Sequence, residues 1–164
     1  MAQTSPTLSA VTSMARVPPQ AQEAEQSVLG GLLVDSRKWD EVAEAVRAED
    51  FYTRAHREIF IAIHALHGSS QAVDVVTTSE WLKNNGTLEP AGGLAYLGEL
   101  ANRTPGTTNL KAYAQIVRER SILRSLIAAA SDISEKAYQH EGLDIKELLD
   151  HAEKAVFEIS DADR

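Results

Sequence analysis

The chain has 164 residues, 43% of them apolar, no cysteine and a formal net charge of −8. That length holds one domain with a real core, or a small domain with an appendage. The missing cysteines exclude disulfides and thiolate metal sites and suit a reducing compartment, and no apolar stretch reaches the length of a membrane span. Met1 to Gln20 is rich in Ala, Ser, Thr and Pro, with Arg16 as its one charge. It lacks the basic start and continuous apolar centre of a signal peptide, so residues 1–20 read as a disordered tail. The rest carries a charge of −9, a poor balance for gripping phosphates, which calls for clustered Lys and Arg.

Helical periodicity begins at Gln22 and runs to Val34, with Val28, Leu29, Leu32 and Leu33 on one face. Gly30-Gly31 inside it costs up to about 1 kcal/mol per glycine relative to Ala, which points to a close helix–helix contact. Asp35-Ser36 offers a cap for a second helix striped by Trp39, Val42, Ala43 and Val46. Phe51-Tyr52 fills a corner. Thr53 caps a helix to about His67, with Ile59, Phe60, Ile63 and Leu66 inward and Gly68 as its stop. Asp74 to Asn85 mixes β-branched residues with helix signals. The good cap at Asp74 and the Asn84-Asn85-Gly86 stop favour a helix. Gly92-Gly93 opens another, with Leu94, Leu97 and Ala101 on one side and Tyr96 and Leu100 beside them. Asn102 to Asn109 is a loop around Pro105-Gly106.

From there to Gly142 the chain has neither glycine nor proline. Tyr113, Ile116, Leu123, Ile127, Ala130, Ile133 and Ala137 recur at near-heptad spacing, which predicts one helix. About 30 residues make roughly 45 Å of helix, longer than the globule of about 30 Å that the preceding residues would form. Asp144-Ile145-Lys146-Glu147 reads as a variant capping box. It opens a last helix with Leu148, Ala152, Ala155, Val156 and Ile159 on one side, folded back antiparallel. The expected class is all-α: a small globular helical head, residues 21–105, followed by a protruding antiparallel helical hairpin, residues 106–161. The apolar face that the shorter arm leaves uncovered points to assembly.

Chemistry is sparse. No glycine is followed by lysine, so the phosphate-cradling loop of a nucleotide hydrolase is missing. No Gly-x-Ser-x-Gly elbow occurs. His64 and His67 can share a helix face as metal ligands do, without a third ligand at clear spacing. Arg118, Arg120 and Arg124 are the nearest thing to a nucleic-acid patch, interrupted by Glu119 and followed by Asp132 and Glu135; a solvated helical face is the plainer reading. No carboxylate sits in an apolar run of the kind that tunes acid–base groups.

Several stretches, in order, resemble the N-terminal domain of the bacterial DnaB-type replicative helicases. They are Glu23-Ala24-Glu25-Gln26-Ser27-Val28-Leu29-Gly30-Gly31-Leu32-Leu33, Trp39-Asp40, and Asp50-Phe51-Tyr52 with His56 and Ile59-Phe60. Asp74 with Thr77, Gly92-Gly93 with Tyr96-Leu97 and Leu100, and Asn109 to Arg124 through Tyr113-Ala114-Gln115-Ile116-Val117 follow. The resemblance spans about residues 17 to 138. It implies a non-catalytic piece of a cytoplasmic, replisomal enzyme that translocates 5′ to 3′ on single-stranded DNA with ATP and Mg²⁺. The motor and DNA-binding loops belong to a RecA-like domain that this chain lacks, so an isolated domain is expected, with no catalytic, cofactor or metal residue to assign.

The implied partners are a second copy of the chain, in a dimer and in a hexameric trimer of dimers, the C-terminal domain of DnaG primase, and a helicase loader. Leu123, Ile127, Ala130 and Ile133 are the expected subunit or primase contacts, with Tyr96 as an exposed aromatic anchor; ordinary intrachain core is the competing reading for each. A stand-alone helical enzyme, and a helical adaptor binding single-stranded nucleic acid through Arg118, Arg120 and Arg124, are the alternatives from other classes.

Overall fold

Helix α1 (Gln22–Val34) is the element around which the rest is arranged. In the computed structural model, which describes residues 16–163, Val28, Leu29 and Leu32 of α1 are fully buried. Its glycine pair explains how one helix can serve two neighbours. A Cβ on Gly30 would collide with the backbone carbonyl of Leu100, and one on Gly31 would collide with the Leu110 side chain. The missing side chains let α1 lie directly against the two later helices that carry Leu100 and Leu110.

A 3₁₀ turn (Ser36–Lys38), capped by the Asp35 carboxylate, which accepts from Arg37 N–H, leads into α2 (Trp39–Ala45). Trp39, Val42 and Val46 face inward as expected, but Ala43 is exposed and Ala45 takes its place against the core. A second 3₁₀ turn (Ala48–Asp50) and the buried Phe51 precede α3 (Arg54–Gly68), capped by the Thr53 hydroxyl. Stacking joins these pieces. Trp39 lies 5.0 Å from Phe60, 5.2 Å from His64 and 5.4 Å from His67, and Phe51 lies 5.1 Å from Phe60.

The segment with mixed signals is α4 (Val75–Asn84), held by reciprocal bonds between Asp74 and Thr77. It ends with Thr87 N–H donating to Leu82 O and with Gly86 at φ +72°, a left-handed stop that favours glycine. Helix α5 (Gly93–Arg103) follows the left-handed Gly92 and opens on Gly93, also left-handed. Leu97 and Leu100 are buried, whereas Leu94, expected on the same side, is 54% exposed. The inward direction of α5 bisects Leu97 and Leu100, about 90° around the helix from Leu94.

Helix α6 (Leu110–Tyr138) has 29 residues and turns different faces to its surroundings along its length. Its core residues are Leu110, Ala114 and Val117, joined by Ser121, beside the expected stripe rather than on it. Tyr113 and Ile116 are half-buried, while Leu123, Ile127, Ala130 and Ala137 are exposed. Beyond Ser121 no α6 residue is fully buried, and beyond Arg124, which still bonds to Asp50 O, about 20 Å of helix runs on to Tyr138.

Helix α7 (Ile145–Ala162) returns antiparallel after the left-handed Gly142. The Asp144 carboxylate caps it by accepting from Lys146 N–H, a single cap rather than the reciprocal box expected. Leu148, Ala152, Ala155 and Ile159 are half-buried on the side toward α6, but Val156 is exposed, about 80° away around the helix. Among the described residues there are seven α-helices, no strand and no helix long and apolar enough to cross a membrane.

Candidate assembly and docking surface

Two buried polar clusters set where the hairpin leaves the head. In the first, the fully buried Asp50 carboxylate accepts from Arg118 Nη1 at 2.7 Å, from Ser121 Oγ at 2.8 Å and from Arg47 N–H at 2.7 Å. Arg118 also reaches the far end of the second arm: Nη2 donates to Ala162 O at 3.2 Å and Nε lies 3.6 Å from Asp163. One guanidinium thus ties the head, α6 and the last turn of α7. Six residues on, Arg124 donates to Asp50 O at 2.6 Å and Pro19 O at 2.7 Å and covers the Tyr52 ring at 5.3 Å. Two of the three arginines considered for nucleic acid are therefore clamps within the chain, neither phosphate grips nor a solvated face.

The second cluster joins α1, α3 and α5. Glu25 and His56 are each 1% exposed, with His56 Nδ1 2.7 Å from Glu25 Oε1. Tyr52 N–H donates to the other carboxylate oxygen at 2.9 Å. His56 Nε2 lies 2.6 Å from the Tyr96 hydroxyl, which accepts from Gln26 Nε2 at 3.4 Å. Burial holds the Tyr96 phenol above its ordinary pKa, opposed by the Gln26 bond. The line of carboxylate, imidazole and phenol has the order of an acid–base relay, yet its carboxylate and imidazole are sealed from solvent. Its chemistry is that of a satisfied buried network, which fixes the packing of three helices. Tyr96 is half-buried with its ring stacked on His56 at 5.9 Å, so its polar tip is committed inside the head.

The hairpin residues divide into two sides. Leu123 (44% exposed), Ile127 (55% exposed) and Ala130 face outward together with Leu126. Ile133, by contrast, is half-buried, as are Ile122 and Ala129. The arms are pinned by His151, whose Nε2 is 2.8 Å from Asp132 Oδ2 and 2.9 Å from Lys136 Nζ. The hydrogen bond from His151, helped by Lys136, holds the Asp132 carboxyl below its ordinary range. The second arm adds an apolar side that the periodicity argument missed. Ile145, Leu149, Val156 and Phe157 are all exposed, and the first three fall within about 40° of one another around α7. The sign of it in the sequence is a second apolar series on that helix, beside the one that packs on α6.

His64 and His67, the residues considered for a metal, instead flank Trp39, and no group of three or more metal-competent side chains occurs among the described residues. The arrangement offers surfaces rather than a reaction centre: a braced strut with unpartnered apolar sides.

Comparison with known proteins places these features. The family model described as the DnaB-like helicase N terminal domain matches residues 17–119. The chain is 45% identical over 150 residues to the replicative DNA helicase DnaB of Haemophilus influenzae, covering 92% of this chain and 32% of that protein. The crystal structure of the N-terminal domain of DnaB helicase from Mycobacterium tuberculosis superposes with a TM-score of 0.83 at 37% identity, over 87% of this chain and 99% of that one. A DnaB-like replicative helicase whose structure was solved with its interactions with primase matches with a TM-score of 0.68 at 27% identity, over 85% of this chain and 31% of that one. The chain spans about a third of the length of the curated relatives it matches.

Proposed function

This chain belongs to the DnaB-like helicase N-terminal domain family, and from that premise we propose that it is the assembly and partner-docking domain of a replicative DNA helicase. In this reading residues 21–105 form the head and residues 106–161 the hairpin that meets other molecules. The chain itself does no catalysis. Unwinding, with ATP and Mg²⁺ and a grip on single-stranded DNA, belongs to a motor domain of the whole protein, working in the cytoplasm at the replication fork. The partners are further copies of the chain, building a dimer and then a hexameric collar, the primase C-terminal domain, and a helicase loader.

The observation that carries this reading is the outward apolar side of a strut braced from the head. Leu123, Ile127 and Ala130 are exposed while Arg118 and Arg124 hold the base of α6 rigidly to Asp50. Leaving such a surface in water is costly, and contiguous apolar patches on a protein mark binding sites. The competing reading, an adaptor for single-stranded nucleic acid, loses support because Arg118 and Arg124 are already engaged.

Light scattering of the chain, alone and with a primase C-terminal domain, tests the proposal. Self-association and a shift on adding primase are expected. Ile127→Glu should weaken association while circular dichroism stays helical. A strict monomer that ignores primase, or salt-sensitive binding of single-stranded DNA by this chain, would count against it.

A further inference from the structure

Helix α7 is held unlike the helices before it. None of its residues is buried, whereas α1 to α6 each bury at least two. It packs along α6 through half-buried Leu148, Ala152, Ala155 and Ile159 and through two polar latches. Midway, His151 meets Asp132 and Lys136. At the far end, Arg118 Nη2 donates to Ala162 O at 3.2 Å. That second latch supplies what α7 lacks. Its last turn holds no basic residue, and Asp161 and Asp163 put negative charge at the negative end of the helix dipole. The compensating cation comes from α6, already held in place by the buried Asp50. At the other end, residues 139–144 are all exposed and include the left-handed Gly142.

We propose that α7 is a lid: it opens as a unit off α6, about the connection 139–144, while the head stays folded. Local openings cost anything from almost nothing to the full unfolding free energy, and segments with few buried apolar contacts lie at the low end. Opening uncovers apolar side chains on both arms. On α7 these are Leu148, Ala155 and Ile159. On α6 they are Ile122 and Ala129, half-buried and within about 40° around the helix of Arg118 and Lys136, which both reach α7. The closed hairpin offers the side with Leu123, Ile127 and Ala130; the open one offers a second side as well. The latches at Arg118 and His151 set the proportion of the two forms.

The inference concerns one chain by itself, so it stands or falls apart from self-assembly and primase docking. Native-state amide exchange of the full ¹⁵N-labelled chain at high dilution tests it. A released helix of 18 residues keeps little structure, because packing supplies most of the stability of such a helix, so each opening exposes its amides. Protection from Leu148 to Ile159 should be measurable, uniform and at least about a hundredfold below that of α1 and α3. Ile63→Val, in the buried core of α3, should lower protection in α1 and α3 about two- to tenfold and leave that of α7 unchanged. His151→Ala should speed exchange throughout α7. If Ile63→Val lowers α7 protection by the same factor as in α1, α7 opens only together with the head and the proposal is overturned. Protection that declines from the middle of α7 toward both ends overturns it too, since that is fraying. So does an α7 exchange rate that His151→Ala leaves unchanged.

Discussion

Arg118 Nη1 lies 2.7 Å from the Oδ1 of Asp50, a carboxylate with no solvent exposure, while the same guanidinium reaches the last turn of α7. The pair couples the buried floor of the head to both arms of the hairpin. Removing one partner of a buried pair leaves an uncompensated charge, which typically costs about 3–5 kcal/mol. Arg118→Ala should therefore lower the denaturation midpoint strongly, and Asp50→Ala comparably. Urea titration checks this; a loss of under about 0.5 kcal/mol, the scale of an indifferent surface change, would rule out the bracing role.

Tyr96 ends the Glu25–His56 line. Tyr96→Phe keeps the ring stacked on His56 but removes one hydroxyl, and with it the partner of His56 Nε2. The expected loss is about 1–3 kcal/mol, the cost of leaving a buried polar group unsatisfied. Glu25→Ala should cost more, since it orphans both His56 Nδ1 and Tyr52 N–H. Thermal unfolding of the two variants should rank them in that order; the reverse ranking would mean the network is not centred on the carboxylate.

Gly30 and Gly31 should respond differently to Ala. Alanine gains up to about 1 kcal/mol in helix propensity, against about 1–3 kcal/mol for overpacking. At Gly30 the obstacle is the backbone carbonyl of Leu100, and at Gly31 it is the flexible end of Leu110. Gly30→Ala should be the more destabilising, because a carbonyl on a packed helix cannot step aside. Equal midpoints in guanidinium titration would refute the close approach of α1 and α5.

Asp132 joins the arms through His151 and Lys136. Its folded pKa is depressed, so its contribution is present above the ordinary carboxylate value of 3.8 and is lost as pH falls through the lower folded value. Wild type and Asp132→Asn should differ in stability at about pH 5 and converge toward about pH 2.5. A difference that stayed constant across that range would show that the ion pair is not what holds the arms there.

Local chemistry was legible wherever one short segment carried the whole signal. Asp74 as a cap and the Asn84-Asn85-Gly86 stop marked α4 despite its β-branched residues, because both signals are local; the return bond from Thr77 came only with the structure. Gly30-Gly31 announced a close contact, because a glycine pair in a helix has few other uses. The outward faces were harder. Ala43, Leu94 and Val156 each fit a helical stripe, yet sit 80–100° from the inward direction, which is set by the neighbouring helix and not by the stripe. On α6 the heptad-spaced residues stood out, but the core took Leu110, Ala114 and Val117, on the side where α1 and α2 pack.

What the sequence by itself determined was the all-helical class, the order and ends of the helices, the length of α6 that forces it beyond the head, and the likeness of family. These follow from periodicity, capping and chain geometry, which act over a few residues. Only the tertiary structure decided which charges are spent inside. Glu25 and Asp50 look like surface carboxylates in sequence, and Arg118 and Arg124 look like free cations. Glu25 meets His56 across 31 positions and Asp50 meets Arg118 across 68. A buried charge is tolerated only when such distant partners arrive together, and no local pattern encodes that meeting.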